Sequence, residues 1–99
     1  MKFTIDLQPF YSKGDENRFF QGLKENRAVL SFRGVGSQLI LDVSLKLLGR
    51  DSLWEIIALL WRYGVPLAPL APLSEKPRFG WLNQHHFFWH SDMFRAETA

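Results

Sequence analysis

His86 and His90 stand four residues apart near the end of a 99-residue chain, with His85 beside the first and Asp92 two places beyond the second. On a helix that spacing stacks two imidazoles on one face, which is half of a zinc site. The sequence does not supply the other half. No glutamate lies between the histidines, Asp92 and His85 fall on other sides of the same helix, and there is no cysteine anywhere in the chain to complete a thiolate set. The same pair could act as general base and general acid of a ribonuclease, with a lysine or arginine steadying the phosphate. That chemistry needs the two groups on opposite sides of the phosphate, whereas successive turns of one helix present them from the same side. Asp6 and Asp42 form no acid pair, since strand alternation sets both on polar faces. No serine sits in a nucleophile motif. These residues lead to the expectation of no metal and no cofactor.

The histidines lie inside the most aromatic part of the chain. Between Trp61 and Phe94 are three of the four tryptophans, all three histidines and four of the nine phenylalanines. One buried helix face cannot use that much aromatic surface, so part of it is expected to meet something other than the core. Tryptophan, tyrosine and arginine are the usual anchors of protein interfaces, and Trp61, Arg62, Tyr63, Arg78, Trp81, Trp89 and Arg95 concentrate them here. Arg78, Trp81, His85, His86, Trp89 and His90 are the expected partner-contacting residues.

The elements that must position these groups follow from periodicity. Residues 2–8 alternate strictly, with Phe3, Ile5 and Leu7 on one side, and read as a half-buried strand that Pro9 and Ser12-Lys13-Gly14 end. Residues 15–26 place Phe19, Phe20 and Leu23 on one helical face, with Asp15 or Ser12 as cap. Residues 28–33 set Leu30 and Phe32 on one face, residues 38–46 set Leu39, Leu41, Val43 and Leu45 on one face, and Gly34-Val35-Gly36-Ser37 between them suits a hairpin. This glycine pair is no phosphate loop, because a strand follows it instead of a helix.

Residues 51–63 form the clearest helix, capped by Asp51 or Ser52, supported by Glu55 and closed by Gly64. Leu53, Ile56, Ile57 and Leu60 make one apolar stripe for the sheet, and Trp54, Ala58 and Trp61 make a second that the C-terminal segment is expected to cover. Val65 to Leu73 carries proline at every third position and leucine at 67, 70 and 73, the pattern of a stiff connector of polyproline character, with room for a helical turn at one end and leucines along one edge. Ser74 to Arg78 reads as a surface loop. A short helix from Leu82 with Asn83 as cap and a frayed end from Arg95 to Ala99 completes the chain.

Ninety-nine residues make one domain, residues 1–99, with 46% apolar and 22% charged residues, an ordinary balance for a folded chain. The net charge is +2 and the basic residues are scattered, so nucleic acid is not the expected partner, although folding could gather Lys24, Arg27, Arg33 and Arg50. The first residues alternate polar and apolar instead of forming a continuous apolar core, so no secretory signal is expected there, and the longest apolar run, Ile56 to Trp61, is far short of a membrane span. The expected residence is cytoplasmic, with no membrane association.

Asp51-Ser52-Leu53-Trp54-Glu55-Ile56-Ile57-Ala58-Leu59-Leu60-Trp61-Arg62-Tyr63-Gly64, the Leu-Ala-Pro-Leu spacer and the aromatic block ending His90-Ser91-Asp92-Met93-Phe94 resemble small immunity proteins of bacterial contact-dependent inhibition and related polymorphic toxin systems. The resemblance covers the second half of the chain and carries no catalytic or toxin-binding residue with it. It implies a cytoplasmic inhibitor whose partner is a cognate toxin domain. Its slight positive charge departs from the acidity usual in immunity proteins against basic nucleases, which implies a neutral or acidic toxin or contact through local acidic clusters. The expected fold is α+β: a three-stranded, mainly antiparallel sheet with two helices on one face in β-α-β-β-α order, and a C-terminal aromatic segment packed against the second helix. The expected function is a non-enzymatic protein-binding module. A small nucleic-acid-directed protein, either a ribonuclease toxin or an RNA or DNA binder, is the alternative.

Overall fold

Phe3 and Ile5 point inward from the first strand while Lys2, Thr4 and Asp6 point outward, as their alternation dictates. In the computed structural model, which describes residues 1–94, the order is β1 (Lys2–Asp6), α1 (Lys13–Glu25), β2 (Val29–Val35), β3 (Gln38–Val43) and α2 (Arg50–Arg62). Two 3₁₀ helices (Ala68–Glu75 and Pro77–Leu82) and α3 (His90–Phe94) follow. The expected frayed end at Arg95 to Ala99 lies outside the described residues.

The sheet order is β1-β3-β2, with β3 antiparallel to both neighbours, so β1 and β2 run parallel and α1 carries the chain between them. Phe3, Leu41 and Phe32 line up across the three strands on the inner face. On the outer face Thr4, Ile40 and Arg33 line up, and most of that face is exposed. Both long helices therefore cover one side only, and the fold is the α+β arrangement expected.

β2 departs from simple alternation. Val29 pairs with Val43 and Ser31 with Asp42, which leaves Leu30 as the extra residue of a bulge, 59% exposed instead of inward. The bulge lets Val29 take the inward place and keeps Phe32 opposite Leu41. The hairpin itself needs only Gly36 and Ser37. Gly36 has φ +62° and Ser37 an ordinary negative φ, the combination of a two-residue type II′ connection.

Ser12 is the cap of α1, its Oγ accepting the Asp15 N–H at 3.1 Å. At the other end Asn26 donates to Ser52 O at 2.9 Å and accepts from Ala28 N–H at 3.0 Å, tying the end of α1 to the first turn of α2. α2 begins two or three residues earlier than its acidic and hydroxyl residues suggest. Gly49 is the cap, and Ser52 sits in the first turn with its Oγ accepting the Gly49 N–H at 2.9 Å. The helix closes on Gly64 at φ +71°, with Val65 N–H to Leu60 O at 2.9 Å and Gly64 N–H to Trp61 O at 3.2 Å, a Schellman motif.

The connector is helical, not polyproline. Ala68–Glu75 is a 3₁₀ helix with Leu67, Leu70 and Leu73 buried, opened by the Leu70 N–H to Leu67 O bond at 2.9 Å. A polyproline helix and a 3₁₀ helix both turn once per three residues, so the leucine spacing serves either one. Proline 69 falls in the first turn, where no amide hydrogen is needed. The expected loop at Ser74 to Arg78 is likewise taken up by the ends of the two 3₁₀ helices. The helix expected from Leu82 is replaced by turns over 83–89, and α3 starts only at His90.

Leu53, Ile56, Ile57 and Leu60 join Phe3, Ile5, Leu39 and Leu41 in one core cluster that also takes in Phe79, Leu82, Trp89, Met93 and Phe94. The second stripe of α2 is covered at its Trp54 end, while Trp61, expected to be covered too, stays 46% exposed. Trp54 meets Trp81 at 6.2 Å, Phe87 at 5.3 Å and Trp89 at 4.7 Å between ring centroids. The first pair is stacked and the other two are edge-to-face, and aromatic pairs of these kinds each add about 0.5–1.5 kcal/mol beyond their burial. Among the described residues no helix is long and apolar enough to cross a membrane.

Candidate interaction surface

The expected contact residues divide into those that hold the last layer in place and those left at the surface. Arg78 belongs to the first group. Its Nη2 donates to Leu48 O at 2.7 Å and also to Leu45 O, and its guanidinium lies over the Phe79 ring at 4.6 Å. Those carbonyls belong to the turn between β3 and α2, so Arg78 fastens the 3₁₀ layer to the sheet side of the molecule. Trp89 is 0% exposed, enclosed by Trp54, Trp81, Phe87 and Phe88, and cannot contact a partner while the domain is folded. Its Nε1 hydrogen is buried without an acceptor. Trp81 is half-buried, stacked at 16° on Trp54 with Arg50 over its ring at 4.5 Å.

The histidine geometry also differs from the helical expectation. His85 and His86 lie in a turn, so the four-residue spacing of His86 and His90 brings no shared face. His86 rests on Phe87 at 4.3 Å, and it is His85 that meets His90, also at 4.3 Å. His90 Nε2 lies within hydrogen-bond distance of Asn83 Oδ1 at 2.8 Å, and its ring packs on Phe94 at 4.8 Å. Asp92, expected to point away from the site, accepts the Leu67 N–H at 3.0 Å and joins α3 to the start of the first 3₁₀ helix. Among the described residues no three His, Asp or Glu side chains are grouped to hold a metal ion.

The exposed aromatic surface lies elsewhere. Tyr11 is as exposed as in an open chain (101%), Trp61 is 46% exposed and Phe88 49%, and the Trp61 and Phe88 rings meet edge-on at 5.3 Å. Tyr11 and Trp61 stand on a groove of about 700 Å³ whose walls include Phe10, Asp15, Arg62 and Tyr63. The groove forms where the β1–α1 loop passes the C-terminal end of α2. Phe10 is held there by Phe19 at 5.4 Å and Tyr63 at 6.0 Å, so the loop is anchored while the neighbouring Tyr11 is left outside.

Trp61, Arg62 and Tyr63 were expected among interface anchors, whereas Phe10 and Tyr11 were not singled out. The signal for them is two aromatic residues after Pro9 in a stretch with no strand or helix period to bury them. Arg95, the remaining expected anchor, lies outside the described residues. Lys24, Arg27, Arg33 and Arg50 form no single stripe: Arg33 faces outward from the sheet and Arg50 stands over Trp81 on the helix side. No protein-family model, no curated protein and no solved structure matches this chain.

Proposed function

We propose that the chain is a non-enzymatic protein-binding module, an immunity protein that acts in the cytoplasm by covering a cognate bacterial toxin domain. The observation that carries this reading is the exposed aromatic group of Tyr11, Trp61 and Phe88, two of them on a formed groove. Exposed tryptophan and tyrosine on a held backbone supply large contact area at small entropic cost, which is the make-up of binding hot spots. Inhibition then requires only that the bound domain sit across the toxin's substrate path. The immunity assignment, as distinct from binding in general, rests on the resemblance of the second half of the chain.

The test is protection from growth arrest. Toxin domains encoded directly upstream of this gene are expressed with and without the chain, and restored growth together with co-purification of the pair is the expected result. Failure to protect against any neighbouring toxin defeats the reading. RNA cleavage by the purified chain, abolished in a His86→Ala, His90→Ala double variant, would replace it with the ribonuclease alternative.

A further inference from the structure

The aromatic groove does not end at Tyr63. Arg62 and Tyr63 also line a second recess of about 590 Å³ between α1 and α2, which continues through Gly22, Glu25, Glu55 and Leu59 into a third of about 280 Å³. The shared residues make one valley along the seam of the two helices. With α1 thirteen residues long, the seam runs for about 20 Å at 1.5 Å per residue. Gly22 is where the helices close up, since a Cβ there would lie 2.9 Å from Leu59 Cδ2.

The charges along this valley are not spread as they are over the chain. At the aromatic end, Asp15 is already matched by Arg18 at 3.2 Å. Arg18 and Arg62 line the middle recess, whereas at the far end Glu25 and Glu55 are the only charged lining residues among the described residues, in a chain whose net charge is +2. Glu25 lies in the last turn of α1, where the helix carbonyls already make the potential negative. Its hydrogen bond from Gln21 Nε2 at 3.2 Å brings no positive charge. Lys24 and Arg27 are neighbours in sequence but do not line the recess.

We infer that this valley is the docking surface and that it takes a segment of the partner protein with a basic side chain at the Glu25–Glu55 end and a large apolar side chain at the Tyr11–Trp61 end. The inference rests on the protein-binding reading and adds the partner's surface chemistry to it. Charge complementarity fixes the direction of the segment, and the aromatic groove supplies the anchor. A nucleic-acid backbone is the wrong occupant for the far end, because its phosphates would meet two carboxylates there. The acidic end also reconciles a slightly basic chain with a basic partner, since the steering potential belongs to one recess and not to the whole molecule.

A random dodecapeptide library selected on the intact chain tests this without any toxin. The expected consensus holds Arg or Lys a fixed distance from Trp, Phe or Leu. Synthetic peptides of that consensus should lose about tenfold in affinity on Glu25→Gln with Glu55→Gln, and about tenfold or more on Tyr11→Ala or Trp61→Ala. The urea midpoints of the variants are measured alongside, and the fully exposed Tyr11 guards against a folding defect at Trp61. Absence of enrichment, an acidic consensus, or peptides indifferent to both sets of variants overturns the inference. Self-association that Trp61→Ala abolishes also overturns it, by making a second copy the occupant. Because growth protection is not part of this measurement, a charge-selective valley can be established while the immunity reading fails, and the reverse.

Discussion

A guanidinium that donates to the Leu45 and Leu48 carbonyls and lies on Phe79 gives Arg78 a testable structural role. Arg78→Ala is expected to lower unfolding free energy by about 1–3 kcal/mol, because two carbonyls lose a charged donor. Arg78→Lys should recover less than half of this, since a single ammonium cannot reproduce the fork or the flat contact with the ring. Urea titration measures both, and a midpoint unchanged in Arg78→Ala would show that the hydrogen bonds are not formed in solution. Trp89 invites a paired comparison. Phenylalanine keeps an aromatic ring against Trp54 and removes the unsatisfied Nε1 hydrogen, so Trp89→Phe should cost about 1 kcal/mol where Trp89→Ala costs about 3–5 kcal/mol. Equal losses would mean that indole shape, not ring burial, sets the site. At this scale the sequence was ambiguous for a physical reason. Arginine and tryptophan anchor layers within a domain by the same contacts that anchor partners, and residue type alone does not say which side of the surface is occupied.

Elements were legible wherever a period belonged to one geometry. The two stripes of α2 called for cover on two sides; the sheet provides one, and the C-terminal aromatics provide the other over Trp54 but leave Trp61 half exposed. Alternation placed the three strands, with the Leu30 bulge invisible because one added residue preserves an apolar pattern while changing which residue points inward. The three-residue repeat of prolines and leucines was legible as a rod and not as a hand, since left-handed polyproline and right-handed 3₁₀ share it. The contact of α1 with α2 at Gly22 yields the prediction for this scale. Gly22→Ala alone should destabilise by about 1 kcal/mol, as Leu59 must move from a methyl placed inside contact distance. In a Leu59→Ala background the same change should stabilise by about 1 kcal/mol, leaving only the better helix propensity of alanine. Urea midpoints of the four proteins form the cycle, and additive effects would show that the helices do not touch there.

Across the whole molecule, one sheet face is left open and polar while three layers of side chains collect on the other. The valley between α1 and α2 was not legible in the sequence because residues around Tyr11, Gly22, Glu55 and Trp61 border it only after the helices dock. The same layering also separates the tryptophans into two kinds of optical probe. Trp54, Trp81 and Trp89 have ring centroids 4.7–6.2 Å apart and must share excitation, giving coupled near-ultraviolet dichroism that reports the closing of the C-terminal layer. Trp61, half exposed, is the tryptophan that lines the groove. A docked segment is expected to shift the emission of the protein while leaving that dichroism unchanged, and Trp61→Phe should remove the shift. A shift that persists in the variant would place the occupant over the trio instead. The molecule therefore reports binding at one end of α2 and folding at the other, in different spectra and without any added label.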